Sequence, residues 1–274
     1  MKYEPSLPAR NDNVSHEHPL KDFVVILGWL LAVAALVYWL LGMAVDAIVD
    51  NLSYETEATV YKLLPAPPVA ATAPGVLAQQ AKVQALVDGM RACAGLRLPA
   101  AVTLSKSEVP NAAVMASGHI VVFTGLLGHV QSENGLAFVL AHELAHITQR
   151  DHLRAVGRGI VLFGVSALLT GNDSGLTELL APVNSLGQAK YSRTREAAAD
   201  SAALRILNCR YGHAGGATEF FHAMKDKDNR LFGLSHYAAS HPAMQARIDT
   251  LNRAIQDGNL KVGTVLPLSV RLQK

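Results

Sequence analysis

The sequence predicts an α+β fold that is mainly α-helical, holds a small β-sheet, and is preceded by one transmembrane helix. Three observations predict it. Residues 23–45 contain no charged side chain. Helical spacing of apolar residues recurs over 76–94 and through most of the chain after Ser132. Two short β-rich runs, Val102–Leu104 and Ile120–Phe123, flank a stretch with turn chemistry at Pro110, Asn111 and Gly118.

Composition narrows the class. The chain has 274 residues, enough for one large domain or two small ones. Charged residues make up 17%, against roughly 25% in ordinary soluble domains. Part of the chain is therefore expected out of water. A net charge of +2 without a Lys/Arg block argues against nucleic-acid binding. Two cysteines exclude a disulfide scaffold and an all-cysteine zinc site.

Residues 1–22 form a polar leader with three prolines. Residues 23–45 follow as an uncharged run, which as a helix spans about 35 Å, enough to cross a bilayer. It is longer than a signal-peptide core and reads as an uncleaved anchor. Lys2, Arg10 and Lys21 precede it, and only Lys62 lies in the twenty residues after it. The positive-inside rule then places the leader in the cytoplasm and the rest outside.

Residues 46–75 read as a juxtamembrane segment ending in a linker, with four prolines over 64–75. A folded domain is expected over 76–257. It opens on a helix at 76–94 and a small sheet within 100–125. The apolar run at 160–171 is too short to span a bilayer and reads as a buried helix, with a membrane-touching segment as the alternative. Residues 258–274 alternate enough for a strand or a loose tail. Cys93 and Cys209 are compatible with a disulfide or with two separate thiols.

The chemistry starts at residues 142–146, His-Glu-Leu-Ala-His. On a helix His146 lies about 40° round from His142, so both imidazoles can grip one zinc ion. Glu143 falls within the same 100° arc, where it can take a proton from water. At this sequence's His and Glu frequencies, chance yields about 0.02 such matches, so the motif is a signal. The surrounding residues, Leu136 to Ile147, are strongly apolar, and three polar side chains there need a shared partner. Ser132 or Asn134 is a suitable cap.

A hydrolytic zinc site needs a third protein ligand and an open position. Glu196 and Asp200 stand four apart on an alanine-rich helix and share one face. Glu196 is assigned to zinc. Asp200 is assigned to orient a ligand histidine through its other ring N–H. The three alanines at 197–199 suit close approach to another backbone. His152 faces away from the metal and reads as structural.

His-Glu-Leu-Ala-His, then YSRTREAAAD, then SHPAMQARI at 240–248, resembles the M48 family of gluzincin metallopeptidases. The resemblance covers roughly residues 76–255. It implies one zinc per chain on His142, His146 and Glu196, with Glu143 as general base and Asp200 supporting the site. VPNAAVMASGHIVVFTGLL at 109–127 is similar to the family's substrate-pairing edge strand. This implies that Asn111 contacts substrate backbone. The Ser-His-Pro element implies that His241 stabilises the oxyanion, with His236 as a competitor. One span and the absence of a helical repeat favour the periplasmic quality-control branch. The expected function is thus a single-span inner-membrane zinc endopeptidase acting outside the cytoplasm on unfolded or damaged proteins. A chaperone-like binding protein or a zinc-dependent membrane scaffold using the same cleft are the rival readings.

Overall fold

A computed structural model describes residues 19–64, 74–170, 192–227 and 244–270. The chain divides into two units between Ala44 and Val45. Helix α1 (Pro19–Asp50) supplies the first unit and ends in the second. Its large apolar side chains from Leu20 to Leu40 are exposed, and it is long and apolar enough to cross a membrane.

The second unit is mainly helical. In chain order it contains α2 (Tyr54–Leu63), α3 (Pro74–Ala94), β1 (Val102–Ser105), β2 (Ala112–Val114), β3 (Ile120–Phe123) and the short α4 (Thr124–Leu127). Then come α5 (Glu133–Thr148), α6 (Asp151–Thr170), α7 (Arg193–Tyr211), α8 (Glu219–Lys227) and α9 (Met244–Asp257). The expected mainly helical domain with a small sheet is what the chain forms.

The sheet has the order β1-β3-β2. β1 runs parallel to β3 with Val102 opposite Ile120, and β2 runs antiparallel with Ala112 opposite Val122. The third strand falls inside the segment that the sequence marks by its turn residues. The turn itself is confined to Met115–Gly118, where the Gly118 N–H donates to the Met115 carbonyl. Gly118 sits at φ 72° with the Tyr61 ring against it, so a side chain there would be strained and would collide.

Helix α5 is the centre of the domain. Every residue from Asn134 to Ile147 is buried, because α7, α3, β2, α6 and α8 all pack on it. Of the two candidate caps, Ser132 is the one used: its hydroxyl accepts the Gly135 N–H at 2.9 Å. Asn134 instead accepts the Leu266 N–H at 2.8 Å, which ties the C-terminal segment to the start of α5. The Leu266 carbonyl accepts from Glu133 N, and Val270 is fully buried. Up to Val270 the tail is therefore docked, neither a regular strand nor loose.

Helix α7 lies along α5. Of the three alanines expected to permit close approach, Ala199 alone is buried; it forms a small-residue seam with Ala203 one turn on. A disulfide joins Cys93 of α3 to Cys209 of α7, with a Cα–Cα distance of 5.8 Å. The run at 160–171 is helical as far as Thr170, within α6. The expectation of burial fails, because Ile160, Leu162 and Val165 are exposed. Among the described residues, the side bearing Leu153, Val156 and Val161 is the one that finds apolar neighbours. The Pro/Ala linker falls mostly outside the described residues, but the segment before it does not: α2 is packed into the domain through Glu57, paired with Arg150, and Tyr61, hydrogen-bonded to His152.

Candidate metal centre

The i, i+4 spacing on α5 sets the two imidazoles one turn apart, with ring centroids 4.6 Å apart. Helix α7 brings Glu196 across from them. The two Nε2 atoms are 3.1 Å apart. Glu196 offers one carboxylate oxygen at 3.5 Å from His142 Nε2 and the other at 3.4 Å from His146 Nε2. Ligands at zinc bond lengths of about 2.0–2.1 Å in a tetrahedron stand about 3.3–3.4 Å apart. The donor spacings and donor types therefore fit a zinc ion, and all three residues are buried.

Each histidine is held from behind. His142 Nδ1 lies 3.0 Å from Asp200 Oδ1, and His146 Nδ1 lies 2.9 Å from Asp151 Oδ2. A hydrogen bond at Nδ1 keeps the proton there and leaves Nε2 as the donor to a metal. Asp200 in turn takes a two-pronged pair from Arg247 of α9, at 2.6 and 2.8 Å. The same guanidinium reaches Glu196 at 3.1 Å and lies over the Phe221 ring at 4.6 Å.

These contacts set the charge states. Burial raises the Asp200 carboxyl, but hydrogen bonds from His142 and Arg247 outweigh it and hold it at about 2. Burial and Arg247 lower His142, yet Asp200 and Glu196 prevail and push it up to about 9. Glu143 is buried beside the histidines, and burial pushes its carboxyl above the usual range. A carboxyl raised in this way is a better proton acceptor.

The structure thus brings His142, Glu143, His146, Glu196 and Asp200 together. Asn111 lies on the chain entering edge strand β2. It is buried, and its side-chain oxygen has no hydrogen-bond partner among the described residues. His241 and its competitor His236 lie outside the described residues. Asp151 and Arg247 complete the site beyond the residues expected from the sequence. Arg247 sits in the quoted SHPAMQARI stretch, where its position was the available signal. Asp151 carries no sequence signal, because it reaches His146 only through a turn at Arg150, which adopts a left-handed φ of 57°.

Residues 77–255 match the family model described as Peptidase family M48. A putative beta-barrel assembly-enhancing protease of Vibrio cholerae is 29% identical over 168 residues, covering 56% of this chain and 34% of that protein. The mitochondrial metalloendopeptidase OMA1 of Schizosaccharomyces pombe is 28% identical over 165 residues, covering 57% and 47%. Protease HtpX homolog 1 of Streptomyces coelicolor is 29% identical over 217 residues, covering 63% and 70%. The matched region spans between a third and a half of the first two relatives' own length.

Proposed function

The chain belongs to peptidase family M48, and from that premise we propose that it is a membrane-anchored zinc endopeptidase hydrolysing unfolded or damaged envelope proteins. The observation that carries the reading is the buried set of His142, His146 and Glu196, whose ligand atoms lie within 4.8 Å of one another on α5 and α7. In this reading they hold one zinc per chain. Bound zinc supplies Lewis acidity toward the scissile carbonyl and toward water.

The chain's own residues do the rest. Glu143 takes a proton from the attacking water and later returns it to the leaving amine. Asp200 and Asp151 fix the ring orientations of His142 and His146. An extended peptide adds to the β2 edge through main-chain hydrogen bonds, which gives weak side-chain selectivity and suits unfolded substrates. The unpartnered Asn111 oxygen supports a contact there with a substrate N–H. His241 is assigned to the oxyanion.

The anchor is the apolar part of α1, with the catalytic domain outside the cytoplasm. The positive-inside bias supports this orientation. The Cys93–Cys209 disulfide supports it independently, since such bonds persist in oxidising compartments.

The test is cleavage of unfolded casein by the purified full-length chain in detergent, beside Glu143→Gln. We expect the wild type to cleave and the variant to be inactive while still binding zinc. Equal activity in the two would remove Glu143 as the base, and no activity in zinc-loaded wild type would remove the peptidase reading.

A further inference from the structure

The turn between α5 and α6 is held by the last turns of α1 and by α2. Arg150 occupies a left-handed conformation that costs energy for any residue other than glycine. That turn reverses the chain so that Asp151, the first residue of α6, sits 2.9 Å from the ring of His146. Arg150 is clamped by residues that precede the linker. Its Nε donates to Glu57 Oε2 at 2.8 Å, its Nη2 lies 2.8 Å from the same oxygen, and its Nη1 donates to the Val49 carbonyl at 2.9 Å. Glu57 is itself buried and also accepts from Tyr61 Oη at 2.7 Å.

Asp151 is braced from the same direction. Arg195, the residue before Glu196, pairs with Asp151 and reaches Asp46 at 3.7 Å. Arg154 binds Asp50 at 2.5 Å, and Arg158 binds Asp46 at 2.9 Å. Asp46 and Asp50 are in the last turns of α1, directly after the uncharged run.

We propose that the membrane-proximal segment 46–61 is a positioning element of the metal centre. Glu57 and the end of α1 clamp the Arg150 turn, and the turn holds Asp151 against His146. The proposal rests on the zinc reading above. It makes Glu57, Arg150, Asp46 and Asp50 positioning residues, acting through Asp151 and touching no reactant. The consequence is functional: the contacts of segment 46–61 tune how firmly the site holds its metal.

The experiment uses full-length protein in detergent. Zinc affinity is measured by competition with a chromogenic chelator, the visible spectrum is recorded after cobalt substitution, and the metal-free melting temperature is read alongside. Loss of an outer support of a metal-bound histidine weakens affinity by roughly 10–100-fold, so Glu57→Gln is expected to weaken zinc about 10-fold and to alter the cobalt spectrum. Glu219→Gln, which removes the Oε2 acceptor of the Ser132 hydroxyl at the far end of α5, is expected to lower the melting temperature without moving zinc affinity.

In an Arg150→Gly background the turn needs no clamp, so Glu57→Gln should add little further loss. Should Glu57→Gln fail to fold, Asp46→Asn with Asp50→Asn replaces it, with a smaller loss of zinc affinity in the same direction. A lower melting temperature with unchanged zinc affinity and cobalt spectrum in the clamp variants overturns the proposal and leaves the zinc reading intact. A wild type that binds no zinc overturns both.

Discussion

Replacing Cys93 and Cys209 by serine should destabilise the domain without dismantling its site. The bond closes a sequence separation of 116 residues between α3 and α7. In the chain-entropy picture, freeing a loop of that size costs about 5 kcal/mol at 25 °C, and measured losses for native disulfides run about 2–5 kcal/mol. Cys93 is half-buried and Cys209 exposed, so the serine hydroxyls remain hydrated and add no desolvation penalty. For a domain of this size each kcal/mol moves the melting temperature by roughly 2–4 °C. The double variant should therefore melt roughly 5–15 °C lower. Helix α7 still packs on α5 and α3, so Glu196 should keep its place and zinc affinity at 25 °C should hold. The assay is a thermal melt of the full-length chain in detergent, with thiol titration showing no free thiol in the wild type. A shift below about 1 °C would refute the argument, as would a wild type that titrates two thiols.

Two other perturbations separate the parts of the site. Asp200→Asn leaves Arg247 without its two-pronged partner and His142 without a charged acceptor, so zinc affinity should fall roughly 10–100-fold by chelator competition; unchanged affinity would remove Asp200 from the site's support. His152 is buried, and burial lowers it to about 4 while its unfolded value is near 6.5. The unfolded chain binds a proton that the native chain refuses, so this group's contribution to stability is lost as pH falls from about 6.5 to 4, at up to about 1.4 kcal/mol per pH unit. Denaturant midpoints of the metal-free wild type should drop more between pH 7 and pH 5 than those of His152→Gln, and parallel curves would contradict the assignment.

The parts legible in the sequence are those fixed by spacing along one helix. His142, Glu143 and His146 share an arc because a helix turns 100° per residue, and Glu196 and Asp200 share a face for the same reason. The anchor was legible because a bilayer demands a long uncharged run. What was not legible depends on backbone turns and distant pairings. Asp151 supports His146 only because Arg150 takes a conformation rare outside glycine. Arg247 reaches Glu196 and Asp200 from a helix that begins 33 residues after α7 ends. The disulfide is not legible, because sequence gives no distance between Cys93 and Cys209. Strand β2 has three residues, too few for its alternation to stand out beside turn residues. The apolar face of α6 misleads because its composition matches a buried helix, while the described residues cover one side of it.

The central claim is that His142, His146 and Glu196 together hold one zinc ion. Metal analysis of the purified full-length chain and of Glu196→Ala tests it most directly. The account predicts one zinc per chain in the wild type and far less in the variant, with the fold retained. Full zinc occupancy in Glu196→Ala, or none in the wild type purified in the presence of zinc, would contradict it.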